Sequence, residues 1–170
     1  NPVDNPSRIL LQELIARGHG RLRIDRETRQ QIARTIAAAA DFYAKPLPEK
    51  RHFAAPSVVE GYRDIGLEYS LQADRPDLTE SFSLWNRNRH HDQMVGWLRD
   101  CPLYLELRRT IDALKPRVAA LFQSMAEHWA PGTEGLRFES ASYIQLNYYE
   151  PAQHRRDMLQ DSHEDGHLVN

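Results

Sequence analysis

Cysteine is nearly missing from this chain: Cys101 is the only one in 170 residues. One thiol excludes an internal disulfide framework and a zinc site built on cysteines. A reducing cytoplasm is the simplest home for it. Long apolar runs are missing as well. Ile36–Ala40 is as long as any, far short of the roughly 20 residues that span a bilayer, so no membrane partner is expected. Surplus positive charge is also lacking, with 22 Lys and Arg against 24 Asp and Glu and a net charge of -2. That excludes a strongly basic nucleic-acid binder, and no nucleic-acid partner is expected. No signal-peptide pattern opens the chain, and there is no internal repeat or low-complexity tract. The sequence starts at Asn1 rather than Met, as expected of a processed or incomplete beginning.

What is present suits a globular protein. Hydrophobic residues are 41% and charged residues 27%, an ordinary balance. The mean hydropathy is -0.68, yet three Trp, seven Tyr and five Phe supply core-forming bulk that wholesale disorder lacks. A chain of this length forms one folding unit and buries roughly two thirds of its unfolded surface.

The apolar spacing predicts a helix over Leu10, Leu11, Leu14 and Ile15, with Ser7 as N-cap and Gly18 as stop. Gly20–Asp25 alternates as a short strand does. Asp25 is positioned to cap a second helix from about Arg26 to Tyr43, with Ile32, Ile36, Ala40 and Tyr43 as its apolar face. Pro46, Pro48 and Pro56 predict turns and loop, and Gly61–Ser70 an irregular stretch. Thr79–Trp85 alternates and predicts a strand. Asn86–Gln93 is polar and reads as an exposed loop. Leu103, Leu107, Ile111, Leu114, Val118, Leu121, Met125 and Trp129 predict a long helix, begun by Pro102 and kinked or split at Pro116. Ser140–Tyr149 is rich in β-formers. Pro151–Asp161 reads as a connector, and Ser162–Val169 as a further strand.

The chemistry-bearing pattern is His163-Glu164-Asp165. On a strand, residues i and i+2 face one side, so an imidazole and a carboxylate face one point. That is two thirds of the 2-His-1-carboxylate triad of non-haem Fe(II) enzymes, which leaves positions open for co-substrate and O₂. With eight His in the chain, composition gives roughly half an instance of His-x-Asp by chance. A second instance does occur, in His90-His91-Asp92, within a solvated run without strand pattern, and it is read as the chance one. His167 falls on the same strand face as His163 and Asp165, but alternate residues are nearly 7 Å apart along a strand, too far to wrap one ion readily. Cys101 reads as a packed side chain, and His52, His128 and His154 as surface histidines. Arg155-Arg156 reads as solvated loop. Tyr62 and Arg63 either border a substrate pocket or pack a loop.

Several segments, in order, resemble the isopenicillin N synthase-like family of Fe(II) and 2-oxoglutarate-dependent dioxygenases. They are Asp41-Phe42-Tyr43-Ala44-Lys45-Pro46-Leu47-Pro48-Glu49-Lys50, then Gly61-Tyr62 with Gly66, then Asp77-Leu78-Thr79-Glu80-Ser81-Phe82, then Asn147-Tyr148-Tyr149, and His163-Glu164-Asp165 sixteen residues after Asn147. The resemblance implies that His163 and Asp165 are the first metal ligands. It implies that Asn147 and Tyr149 line the metal and 2-oxoglutarate pocket, with Tyr149 bonding a co-substrate carboxylate. Gln145 stands where the family usually has Arg, and Glu150 intervenes before Pro151. The family's second His and an Arg-x-Ser pair lie further along, beyond Asn170, so the sequence is expected to be the N-terminal part of such an enzyme.

The fold expected is α+β: helices packed on part of a double-stranded β-helix, or jelly roll, incomplete in this chain. Residues 1–135 form the helical region with early strands, and 136–170 begin the jelly-roll core that carries His-x-Asp. The function expected is an Fe(II), 2-oxoglutarate-dependent oxygenase that uses O₂ to hydroxylate, desaturate or ring-close a small molecule. The alternatives are a catalytically incomplete fragment and a metal-free helical interaction protein.

Overall fold

A computed structural model describes residues 6–54, 60–70, 72, 74–85, 96–132, 142–150 and 158–163. The helices are α1 (Pro6–Arg17), α2 (Arg26–Tyr43), the short α3 (Leu47–Arg51) and the long α4 (Pro102–Trp129), and residues 96–98 are helical as well. Three strands, β1 (Gly61–Arg63), β2 (Glu80–Trp85) and β3 (Tyr143–Tyr148), form one antiparallel sheet in the order β1-β2-β3. A closed jelly roll takes roughly eight strands, and the described residues hold these three. The sheet joins the two regions divided at 135/136, because β2 pairs with β3 along its whole length.

Local chemistry explains most boundaries. Asp25 caps α2 as expected, its Oδ1 accepting from the Thr28 amide at 2.7 Å. Gly18 closes α1 with φ of 73°, a left-handed conformation that suits glycine, and donates its amide to Leu14 O at 2.9 Å. Ser7 is not the cap: α1 already starts at Pro6, whose fixed φ and missing N–H fit a first helical turn. The alternation in Gly20–Asp25 forms no strand. The proline-rich stretch contains α3, which starts where Leu47 and Pro48 follow the extended Pro46. Pro116 does not split α4, which is helical from Pro102 to Trp129. One missing backbone bond is tolerated because the turns on both sides are held by packing against α1 and α2.

The buried face of α2 differs from the apolar spacing. Ile36 is 61% exposed, whereas Thr28, Gln31, Thr35, Phe42 and Tyr43 are buried. The seam with α4 is polar. Thr35 Oγ1 and Thr110 Oγ1 lie 2.7 Å apart, and Gln31 Nε2 donates to Glu106 Oε2 at 2.8 Å. The main core lies where α2 and α4 meet the sheet: Phe42, Tyr43, Tyr62, Phe82, Leu84, Leu98, Cys101, Leu103, Tyr104 and Leu107. Phe42 packs edge-on against Phe82 with ring centres 5.2 Å apart. A smaller cluster of Leu10, Leu11, Leu121 and Met125 joins α1 to α4. No described helix is long and apolar enough to cross a membrane.

Candidate functional site

The sheet register sorts the site residues onto two faces. Tyr62 pairs with Phe82, which pairs with Leu146, and Glu80 pairs with Tyr148. These five face the helices. Arg63 pairs with Ser81, which pairs with Asn147, while Gly61 pairs with Ser83, which pairs with Gln145. These rows form the opposite, polar face, because successive side chains alternate.

On the helix face a buried ion pair ties α3 to the sheet. Lys50 Nζ donates to Glu80 Oε2 at 2.5 Å, and the Tyr62 hydroxyl donates to the same oxygen at 2.6 Å. The two charged side chains are 7% and 9% exposed. Tyr43 stacks on Tyr148 with ring centres 4.9 Å apart and donates its hydroxyl to Leu146 O at 2.9 Å. Burial, and then the neighbouring Glu80, hold both the Tyr43 and Tyr62 hydroxyls protonated far above the ordinary tyrosine range. Tyr62 therefore belongs to the core. Lys50, Tyr62, Glu80 and Tyr148 come from four of the segments quoted above, and they meet in this one cluster.

On the polar face Arg63 lies across β2. Its guanidinium donates to Ser81 Oγ at 3.0 Å, Ser83 Oγ at 2.8 Å and Gln145 Oε1 at 2.7 Å, and pairs with Glu68 Oε1 at 2.9 Å. Gly61 lies in the row beside this reach and offers no side chain there; its φ is 90°. Gln145 Nε2 in turn donates to Asn147 Oδ1 at 2.7 Å. The sequence named Arg63 and Asn147 separately. The chain of contacts between them was missed, and its only signal was the alternation of Ser81 with Ser83 and of Gln145 with Asn147.

The segment that ends at His163 is held beside the sheet. Leu78 donates its amide to Leu159 O at 2.6 Å, Arg75 Nη2 pairs with Asp161 Oδ1 at 3.3 Å, and the Tyr149 hydroxyl donates to Gln160 Oε1 at 2.6 Å. His163 is exposed and lies outside any strand. Its Nδ1 lies 2.9 Å from Asp161 O. A carbonyl oxygen only accepts, so Nδ1 carries a proton and is the donor in this contact. Histidine ligands of metals are commonly oriented by such a bond, so this imidazole fits an Fe(II) ion. Asp165, Glu164 and His167 lie outside the described residues, as do His90, His91, Asp92, His154 and Arg155-Arg156. Among the described residues no three His, Cys, Asp or Glu side chains gather as a metal cluster. His52 and His128 are exposed. Cys101 is fully buried at the start of α4, and burial pushes its thiol up, away from the reactive thiolate.

No family model, no curated protein and no solved structure matches this chain significantly.

Proposed function

We propose that this chain belongs to a non-haem Fe(II), 2-oxoglutarate-dependent oxygenase acting on a small molecule, built on a jelly-roll core. One observation carries the reading. The segment leading to His163 is bonded through Gln160 to Tyr149, two residues past Asn147, and His163 carries a proton on Nδ1. The ring of the first proposed ligand is thereby oriented beside the strand end named for the co-substrate.

His163 and Asp165 would hold the ion. When bound, Fe(II) and 2-oxoglutarate would supply the electrons that activate O₂, the oxidant, toward a C–H bond. The chain's own residues position the reactants. The Asp161 carbonyl fixes the His163 ring. The Tyr149 hydroxyl, which now donates to Gln160, exchanges that acceptor for a co-substrate carboxylate. Asn147 is exposed and is oriented by Gln145, so its amide faces the same space. Arg63, behind it, keeps this part of the sheet polar.

Anaerobic titration with Fe(II) tests the reading. The chain binds Fe(II) weakly, because an imidazole and one carboxylate leave the ion mostly hydrated. Binding is lost in His163→Ala and Asp165→Ala and kept in Asp92→Ala and His167→Ala. Binding that is unchanged in both His163→Ala and Asp165→Ala overturns the assignment.

A further inference from the structure

We propose that Arg63 and Ser81 form a receptor for the carboxylate of a small molecule from outside, and that Glu68 fills it as an internal substitute. Glu68 Oε1 lies 2.9 Å from Arg63 Nε in an ion pair and accepts from the Ser81 hydroxyl at 2.5 Å, while Arg63 Nε–H donates to Ser81 Oγ. A guanidinium charge beside a hydroxyl donor, both meeting one oxygen, suits a carboxylate. The receptor is built into the sheet. Ser81 is fully buried, and Ser83 and Gln145 hold the guanidinium plane from its far side at 2.8 and 2.7 Å.

The carboxylate that fills it is not part of the sheet. Glu68 comes from the turn after β1, and its backbone is held by Asp77, whose amide donates to Glu68 O at 2.8 Å. Its neighbours Leu67 and Tyr69 are 58% and 53% exposed, so no apolar packing of theirs clamps the turn onto the sheet. The Arg63 and Glu68 side chains are 17% and 18% exposed, which leaves water a path to the pair. Rotation of the Glu68 side chain, with its backbone in place, lets another carboxylate take its position against Arg63 and Ser81. A carboxylate bound there directs the rest of its molecule along Gln145 and Asn147. This rests on the oxygenase reading only in naming that molecule the substrate. Carboxylate binding itself needs neither metal nor 2-oxoglutarate.

The test uses the full chain, free of metal and 2-oxoglutarate, with hexanoate as probe in titration calorimetry. Glu68→Gln removes the competing charge while keeping shape, and tightens hexanoate binding at least tenfold. Adding Arg63→Met to Glu68→Gln abolishes that gain. The proposal is overturned if Glu68→Gln binds no tighter than the parent, or if the double variant binds as tightly as Glu68→Gln. Should Glu68→Gln not fold, the Arg63 Nε–H resonance of the parent chain decides: it moves during a hexanoate titration, and a stationary resonance overturns the proposal. The iron titration above is a separate measurement, so failure of either reading is seen without the other.

Discussion

Removing one partner of the Lys50–Glu80 pair should be among the costliest single changes in this protein. Both side chains are almost fully buried and share one oxygen with the Tyr62 hydroxyl. Lys50→Met leaves the Glu80 carboxylate in the core with Tyr62 as its remaining donor among these three. Breaking a buried pair from one side costs about 3–5 kcal/mol, because the other charge stays uncompensated. Glu80→Leu strands the ammonium and falls in the same range of about 3–5 kcal/mol. Tyr62→Phe removes one hydrogen bond to a charged group, worth about 1.5–3 kcal/mol. Lys50→Met combined with Glu80→Leu removes both charges together. What is left is a Tyr62 hydroxyl without its short bond, with Asp64 Oδ1 at 3.4 Å as its remaining acceptor, a loss of about 1–3 kcal/mol. The double change therefore costs no more than either single one, and the coupling within the cycle is at least about 3 kcal/mol. Urea unfolding of the parent, the two single variants and the double variant at neutral pH measures all four corners. If the double variant loses the sum of the single losses, the two charges do not compensate each other, and the reasoning is wrong.

Two further predictions concern stability. Burial pushes Glu60 up to about 7, opposed by the charge of Arg108, so this carboxyl binds a proton in the fold at a pH where the unfolded chain has released it. The unfolded state then binds fewer protons between pH 4.5 and about 7, and stability falls as pH rises through that window and levels off above it. The loss is up to about 3 kcal/mol, and Glu60→Gln flattens that part of the pH profile in urea midpoints; an unchanged profile contradicts the assignment. Pro116 is exposed in the middle of α4, so Pro116→Ala restores a backbone donor and relieves a clash without opening a cavity. It should raise stability by about 1–3 kcal/mol in the same assay, and a loss of stability would show that the proline is required there.

Legibility in the sequence followed the kind of interaction that fixes each element. The start of α2 was readable because the Asp25 cap is local, spanning three residues to Thr28. Its buried face was not, because Gln31, Thr35 and Thr110 bury polar atoms against one another, and apolar periodicity does not register that. Leu103, Leu107, Leu121 and Met125 were read correctly as core, whereas Trp129 at the frayed end of α4 is 54% exposed. The strand β1 was read as irregular. Three residues carry too little pattern of their own, and Gly61–Arg63 is a strand only because β2 supplies its partner. Gly20–Asp25 shows the converse: alternation over six residues with no strand beside it forms none. The candidate site divides the same way. Asn147 and Tyr149 came from a local motif on a readable strand, while the role of Arg63 depends on register across three strands, which is long-range information.

The two carboxylate–cation pairs flanking β2 show why one is a fixture and the other an exchangeable contact. Glu80 and Ser81 are adjacent and so project to opposite faces. On the helix face, Glu80 receives Lys50 and Tyr62 in a setting where both ions are below 10% exposed. Opening it would place unpaired charge among Phe42, Phe82 and Leu84, and the core closes over it. On the polar face, Ser81 and Arg63 receive Glu68 with about twice that exposure on each partner. Water then compensates part of each charge when the pair opens, so opening it costs less than opening the Lys50–Glu80 pair. A rigid donor set whose own carboxylate is held less firmly is suited to accept another. The sheet therefore presents its stability on one side and its exchangeable chemistry on the other, separated by the thickness of a single strand.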